Sequence, residues 1–136
     1  MRTLSIDWGM KGIGFCVTDN LKISINPVLN YFFKNRYNFK EAYNEIEKII
    51  KKYNNEIDTI VIGYPMFNTE NNSYSKNKVD NFYDMLSKKL ESNIKVVLFT
   101  EFKSTSEAKT NLNNKDFKKN KDMYSSCIIL KNYLNK

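Results

Sequence analysis

The sequence predicts a single α/β domain built on a five-stranded mixed sheet with helices on both faces. Three β-prone runs joined by short turns come first, and the apolar periodicity then changes to helical spacing. From that point buried strands alternate with helices, which gives the order βββαβαβα with the last helical region in two parts. The 136 residues show no repeat and no linker, so residues 1–136 are expected to form one domain.

The first three strands are predicted to form an antiparallel unit. Residues 3–6 and 12–18 are β-prone, and the short Gly-flanked link at residues 9–12 favours a hairpin between them. Residues 22–33 alternate loosely and predict a third strand. Pro27 cannot donate a ladder hydrogen bond, and it therefore indicates an edge position for that strand.

A helix is predicted next, followed by a buried strand. Asn38, with Glu41 three residues later, resembles a capping box at the start of a helix. Seven apolar or aromatic residues follow at helical spacing: Phe39, Ala42, Tyr43, Ile46, Ile49, Ile50 and Tyr53. The apolar run at residues 58–63 is typical of a strand buried on both faces.

The second half is predicted to add a loop, another buried strand and more helices. Residues 68–77 are polar and predict a loop on the same sheet edge as the candidate site, while residues 94–100 predict a buried strand. A third helix is expected to begin near Ser104, and residues 113–121 a basic break. Apolar residues at helical spacing mark the second and last helices: Val79, Phe82, Tyr83, Leu86 and Leu90, then Met123, Cys127, Leu130 and Leu134.

Composition limits the chemistry. The chain has no histidine, which excludes Ser-His-Asp and Cys-His nucleophiles and every zinc site that uses histidine. Cys16 and Cys127 cannot form a cysteine-only zinc cage, and we expect both to be reduced. No apolar run approaches the roughly 18 residues of a membrane span. We therefore expect a cytoplasmic protein without membrane association.

The charge favours a polyanionic partner. The net charge is +7, and residues 103–136 hold eight lysines against three acids. Genome composition is an equally good explanation for the overall excess, because lysine, asparagine and isoleucine all have AT-rich codons. The concentration of lysine at one end favours nucleic-acid binding more than the total does.

Two acids follow predicted strands directly, and a third begins the last helix. The first strand and the two later strands are expected to run parallel and to end on the same edge of the sheet. Asp7 follows the first strand and Glu101 the last, so both lie at carboxyl ends on that edge, where α/β sheets bind ligands. Asp122 has an alternative role as a helix N-cap, as the other two have as turn or cap residues. Three converging carboxylates would suit Mg²⁺ or Mn²⁺, which prefer hard oxygen ligands.

Four segments, in order along the chain, resemble the YqgF (RuvX) family. Residues 4–14 are similar to its opening pattern, apolar-apolar-Asp-x-Gly-Thr-Lys-x-Ile-Gly, and residues 60–65 to its Val-Val-Gly-Leu-Pro segment. Residues 96–108 resemble its strand followed by Asp-Glu-Arg-x-Thr-Thr-x-Glu-Ala, and residues 121–130 its terminal Asp-x-x-Ala-Ala-x-x-Ile-Leu helix. Each match alone is weak, but together they cover essentially the whole chain.

This resemblance implies a ribonuclease H-like fold and a nuclease that processes the 5′ end of pre-16S rRNA; the family was earlier described as a Holliday-junction resolvase. Its acidic triad corresponds to Asp7, Glu101 and Asp122 in this sequence. We expect these three acids to hold two Mg²⁺ or Mn²⁺ ions, with Asp7 as the bridging ligand. The intact triad favours an active enzyme, and the departure of Met10 and Phe102 from the family's Thr and Arg leaves weakened activity as the alternative.

Nucleic-acid contacts are expected from six lysines around this edge: Lys11, Lys103, Lys115, Lys118, Lys119 and Lys121. An ordinary solvated surface explains each lysine equally well. Trp8 is expected in the core or stacked on a base. The sequence does not choose between pre-rRNA and branched DNA as substrate, and ribosomal precursor particles are a further candidate partner.

Two other functions are alternatives to the nuclease hypothesis. A nucleic-acid-binding or ribosome-assembly module without turnover is favoured by Met10 and Phe102 and opposed by the three acids. A sugar-kinase or actin-like phosphate-binding lobe also opens with Asp-x-Gly, but it needs two lobes around a nucleotide, and 136 residues supply one.

Overall fold

A computed structural model describes residues 1–9, 11–35, 38–64, 70–90, 93–100 and 114–135. The described residues form five strands: β1 Arg2–Trp8, β2 Gly12–Thr18, β3 Ile25–Phe32, β4 Ile57–Tyr64 and β5 Lys95–Thr100. Three helices lie in the described ranges: α1 Phe39–Lys52, α2 Glu70–Lys89 and α3 Asn114–Leu134. Within these ranges, no helix combines the length and apolar character that crossing a membrane requires.

The five strands form one mixed sheet in the order β3-β2-β1-β4-β5. β1, β2 and β3 are antiparallel neighbours, and the Gly9 amide closes the β1–β2 hairpin on the Gly12 carbonyl at 2.8 Å. β1, β4 and β5 run parallel, as the sequence predicts. The carboxyl ends of β1, β3, β4 and β5 therefore share one edge of the sheet, which we call the carboxyl edge.

One face of the sheet carries the hydrophobic core. α1 and α2 cover this face, and their apolar residues pack on alternate strand positions. Trp8 is only 9% exposed because its ring contacts Phe33, Phe39 and Phe82 at centroid distances of 4.7–5.4 Å. Of the two roles predicted for Trp8, the structure therefore shows core packing and excludes base stacking.

The opposite face carries α3 and is lined by small residues. The Ser5 hydroxyl in β1 donates to the Ser126 carbonyl in α3 at 2.7 Å, and the Cys127 thiol donates to the Cys16 sulfur at 2.7 Å. Both cysteines are free thiols. These polar contacts hold α3 on the sheet through short side chains, so its backbone approaches β1 and β2 closely.

The start of α1 agrees with the cap prediction and adds a junction to β3. The Asn38 side chain accepts a hydrogen bond from the Glu41 amide at 3.0 Å. The Glu41 carboxylate accepts hydrogen bonds from the Tyr31 hydroxyl at 2.7 Å and the Lys34 amide at 2.9 Å. Glu41 therefore bonds the end of β3 and the residue Lys34 to the first turn of α1.

Three predictions of local structure are wrong. The loop predicted at residues 68–77 is helical from Glu70 onward, while residues 68 and 69 lie outside the described ranges. The break predicted at 113–121 is helical from Asn114, with one non-helical residue, Asn120, at φ −124° and ψ 24°. β5 is an edge strand and is half-buried rather than buried. The helix predicted near Ser104 also lies outside the described ranges.

Candidate active site

Asp7 lies near the carboxyl end of the central strand. It pairs with Gly14 in β2, and its neighbour Ile6 pairs with Ile62 in β4, so the next residue of β4 beside it is Gly63. A Cβ atom at Gly63 would lie 3.6 Å from Asp7 Oδ1. With glycine on both flanking strands, no neighbouring strand side chain lies between the Asp7 carboxylate and α3.

Asp122 reaches the same edge from α3. The helix is interrupted at Asn120, so its second half begins immediately before Asp122. A Cβ atom at Gly9 would lie 2.7 Å from Asp122 Oδ1, and one at Gly12 would lie 3.3 Å from Oδ2. The Asp122 carboxylate therefore lies over the β1–β2 hairpin, and its residue is 6% exposed.

Gly14 allows this close approach. A Cβ atom there would overlap the backbone of Asp122 and Met123. The adjacent residue on β3 is Asn30, which pairs with Gly14 in register. Its side-chain oxygen accepts a hydrogen bond from the Met123 amide at 2.8 Å. The Met123 amide is one of those at the start of the second half of α3 that have no partner within the helix, and the Asn30 side chain of β3 therefore supplies its acceptor.

The surroundings of both carboxylates disfavour their charged forms. Burial raises the pKa of Asp7, the nearby negative charge of Asp122 raises it further, and Lys121 lowers it in part. Burial also raises the pKa of Asp122, and Lys121 opposes that shift. Two acids held together against desolvation and repulsion gain most from a bound cation, because it neutralises both.

These two residues fit a hard divalent ion. Their donors are carboxylate oxygens, the ligand type that Mg²⁺ and Mn²⁺ prefer. Among the residues that the structure describes, no group of three or more metal-ligating side chains occurs. Glu101, the third predicted acid, lies outside those residues; it follows Thr100, which pairs with Tyr64 at the carboxyl edge. The structure therefore brings two of the three predicted acids together.

The structure describes some of the six predicted lysines and not others. Lys11 and Lys119 are exposed, and Lys121 is exposed and close enough to both acids to lower their pKa values. Lys115 and Lys118 belong to α3, but only their backbone is described. Lys103 lies outside the described residues, as do Met10 and Phe102.

Two residues of this edge were not among the sequence predictions. Asn30 had no signal, because a single asparagine in a strand is commonplace and its partner is 93 residues away. Phe32 is 52% exposed at the end of β3. Alternation alone could have placed Phe32 on the α3 face, since its neighbours Tyr31 and Phe33 pack with the core cluster.

The fold and the acid pair define the class of protein: a ribonuclease H-like domain with carboxylates at the carboxyl edge of its central strand. A family model described as "RuvX: Holliday junction resolvase" matches residues 1–136. The chain belongs to the RuvX family, as the motifs predict.

Relatives cover the whole chain. A protein of Mycoplasmopsis pulmonis named "Putative pre-16S rRNA nuclease" is 34% identical over 99% of this chain and 93% of its own length. A Mycoplasma mobile protein of the same name is 37% identical over 99% of this chain and 92% of its own.

Solved structures share the fold at low identity. RuvC of Thermus thermophilus, in a complex with Holliday junction substrate, has a TM-score of 0.56 at 12% identity and covers 98% of this chain and 93% of its own. The fowlpox virus resolvase, in a complex with Holliday junction DNA, also has a TM-score of 0.56, at 15% identity, covering 99% and 97%. These likenesses support the ribonuclease H-like fold.

Proposed function

We propose that this protein is a metal-dependent endonuclease that processes the 5′ end of pre-16S rRNA, which places it in the cytoplasm. The observation that carries the proposal is the closeness of Asp7 and Asp122 at the carboxyl edge, where burial raises both pKa values and the charge of Asp122 raises the pKa of Asp7 further. The relatives named as pre-16S rRNA nucleases over the full length of the chain support this substrate.

Asp7 and Asp122 would hold Mg²⁺ or Mn²⁺, and Glu101 would complete the ligand set as the family motif implies. A bound divalent ion supplies an activated water and stabilises the leaving oxygen in phosphodiester hydrolysis. Asp7, on the central strand, orients the site rigidly because β1 is hydrogen-bonded on both sides. Asp122 approaches from α3, so the position of that helix sets the distance between the two acids.

Lysines supply the electrostatic part of substrate binding. Lys121, beside the acid pair, is placed to bind a phosphate next to the one that is cleaved, and Lys11 on the hairpin is exposed on the same edge. Contacts of this kind position the backbone without reading the sequence. Lys119, which is also exposed in α3, adds a further positive charge to this helix.

Branched DNA is the second candidate substrate, and the family's description as a Holliday junction resolvase favours it. The two substrates are separated by incubating the protein with Mg²⁺ or Mn²⁺ and, in parallel, a pre-16S rRNA 5′-leader RNA and a four-way DNA junction. We expect faster cleavage of the RNA. Faster cleavage of the junction supports the resolvase instead, and binding of either substrate without cleavage supports a binding module.

A further inference from the structure

We infer that Phe32 is a base-stacking platform at the rim of the acid pair, which binds an unpaired nucleobase next to the cleaved phosphate. This inference rests on the proposed nuclease function and extends it to the form of the substrate: a strand with at least one unstacked base at the site.

The position of Phe32 follows from strand pairing. It lies opposite Gly12 in β2, and paired residues in a sheet present their side chains on the same face. Gly12 has no side chain, and the space above it is bordered by both Phe32 and Asp122. A Cβ atom at Gly12 would lie 3.5 Å from Phe32 Cδ1 and 3.3 Å from Asp122 Oδ2. The ring therefore adjoins the carboxylate of the site.

The exposure of Phe32 distinguishes it from the other aromatic residues of this strand end. Tyr31 and Phe33 pack against the core cluster on the opposite face, and their rings are 6.0 Å apart. Phe32 points to the α3 face at the carboxyl edge and is 52% exposed. A flat ring that is half-exposed beside the candidate metal ligands can accept a base on its open surface.

Charge complements the ring. The Phe33 amide donates to the Lys11 carbonyl at 2.8 Å, so the backbone of Lys11 lies alongside the end of β3. The exposed Lys11 ammonium and Lys121 can neutralise phosphates on the strand whose base is stacked. Alternating aromatic and cationic groups of this kind are the ordinary means of binding single-stranded nucleic acid.

The test compares binding of a short single-stranded RNA from the 5′ leader by Phe32→Ala, Phe32→Leu and Phe32→Trp. All variants carry Asp7→Asn, so that no RNA is cleaved during the titration. Phe32→Ala and Phe32→Leu should weaken binding by about tenfold, and Phe32→Trp should bind at least as tightly as Phe32. Ile23→Ala is the control, because Ile23 is 75% exposed at the other end of the strands. It should bind like the parent.

Two further readouts separate stacking from other causes. The slope of binding against salt should not change in Phe32→Ala, because a stacked base releases no counterion. An abasic nucleotide at one position of the RNA should weaken binding by the protein that keeps Phe32. The same nucleotide should not weaken binding by the Phe32→Ala variant. The inference is overturned if Phe32→Leu binds like the parent, or if no abasic position distinguishes the two proteins. If the parent binds neither RNA nor a four-way DNA junction, it is the proposed function that fails.

Discussion

The side-chain oxygen of Asn30 in β3 accepts a hydrogen bond from the backbone amide of Met123 in α3 at 2.8 Å. The side chain of an N-cap residue commonly accepts from the amide two or three residues further on. Here Asn30 takes that role across the sheet. This bond fastens α3 to β3 next to Asp122, whose carboxylate lies over the β1–β2 hairpin and close to that of Asp7.

Removing this bond should weaken the candidate metal site. We predict that Asn30→Ala lowers the free energy of unfolding by about 1 kcal/mol, the typical contribution of such a hydrogen bond. It should also reduce Mn²⁺ affinity, because the part of α3 that carries Asp122 loses a bond that fastens it to β3. Calorimetric titration and thermal melting measure the two effects.

Asn26→Ala is the matched control, since Asn26 lies on the same strand and uses its backbone carbonyl to accept from the Cys16 thiol. Asn30→Asp keeps an acceptor at the same place and should retain Mn²⁺ affinity. Equal affinities for Asn30→Ala and the wild type would refute a positioning role.

Gly14 should be intolerant of any side chain. A Cβ atom at Gly14 would overlap the Asp122 and Met123 backbone, whereas one at Gly63 meets the flexible end of Ile129. We predict that Gly14→Ala costs about 1–3 kcal/mol of stability or more, and that Gly63→Ala costs less. Chemical denaturation of both variants measures the difference. A smaller loss for Gly14→Ala than for Gly63→Ala would contradict the packing of α3 described above.

The pKa of Asp7 gives a pH dependence of defined sign. Burial, with help from Asp122, raises this pKa from 3.8 to about 7, so folding favours the protonated carboxyl between those values. The contribution of Asp7 to stability is present below pH 4 and is lost as the pH rises through about 7. Asp7→Asn removes the ionisable carboxyl, so the variant does not lose this stability as the pH rises.

We therefore predict that metal-free Asp7→Asn melts at a higher temperature than the wild type at pH 8, and that the difference shrinks toward pH 4. Comparing the two proteins cancels Asp19, Glu41 and Asp58, whose pKa values are lowered and whose effects have the opposite sign. Melting curves in a chelator across this range measure it. A difference in melting temperature that grows toward pH 4 would show that the surroundings of Asp7 do not destabilise its charged form.

Four lysines in the first half of α3 and at its interruption should contribute to the salt dependence of binding. We predict that changing Lys115, Lys118, Lys119 and Lys121 to Gln weakens RNA binding and reduces the log–log salt slope by about 0.7 for each lost phosphate contact. Lys51, Lys52, Lys88 and Lys89, in the last turns of α1 and α2, provide a control of equal charge. An equal loss of slope in both variants would indicate general charge attraction only.

The sequence predicted what depends on apolar periodicity and on position. The mixed five-stranded sheet, the shared direction of β1, β4 and β5 and the meeting of Asp7 with Asp122 all follow from buried runs and the acids beside them. It failed where helices carry no apolar signal. α2 begins at Glu70 within an Asn- and Ser-rich stretch, residue types that favour turns, and is held by Val79, Phe82 and Leu86 further on.

Contacts between polar groups that are distant along the chain also could not be predicted from the sequence. The bond between Asn30 and Met123 depends on how closely α3 approaches β2, which Gly14 permits. Nothing in the local sequence around Asn30 encodes that distance. The exposed position of Phe32 likewise became meaningful only when Gly12 and Asp122 were placed beside it.

The most direct test of the central claim is the rate of Mg²⁺- or Mn²⁺-dependent cleavage of the pre-16S rRNA 5′-leader RNA by wild type, Asp7→Asn and Asp122→Asn. Asp84→Asn is the matched control, because Asp84 is an exposed aspartate of α2. We predict that cleavage requires the metal, that both site variants remain folded and lose it, and that Asp84→Asn keeps the wild-type rate. Wild-type cleavage by Asp7→Asn at saturating metal would contradict the assignment of this acid pair as the active site.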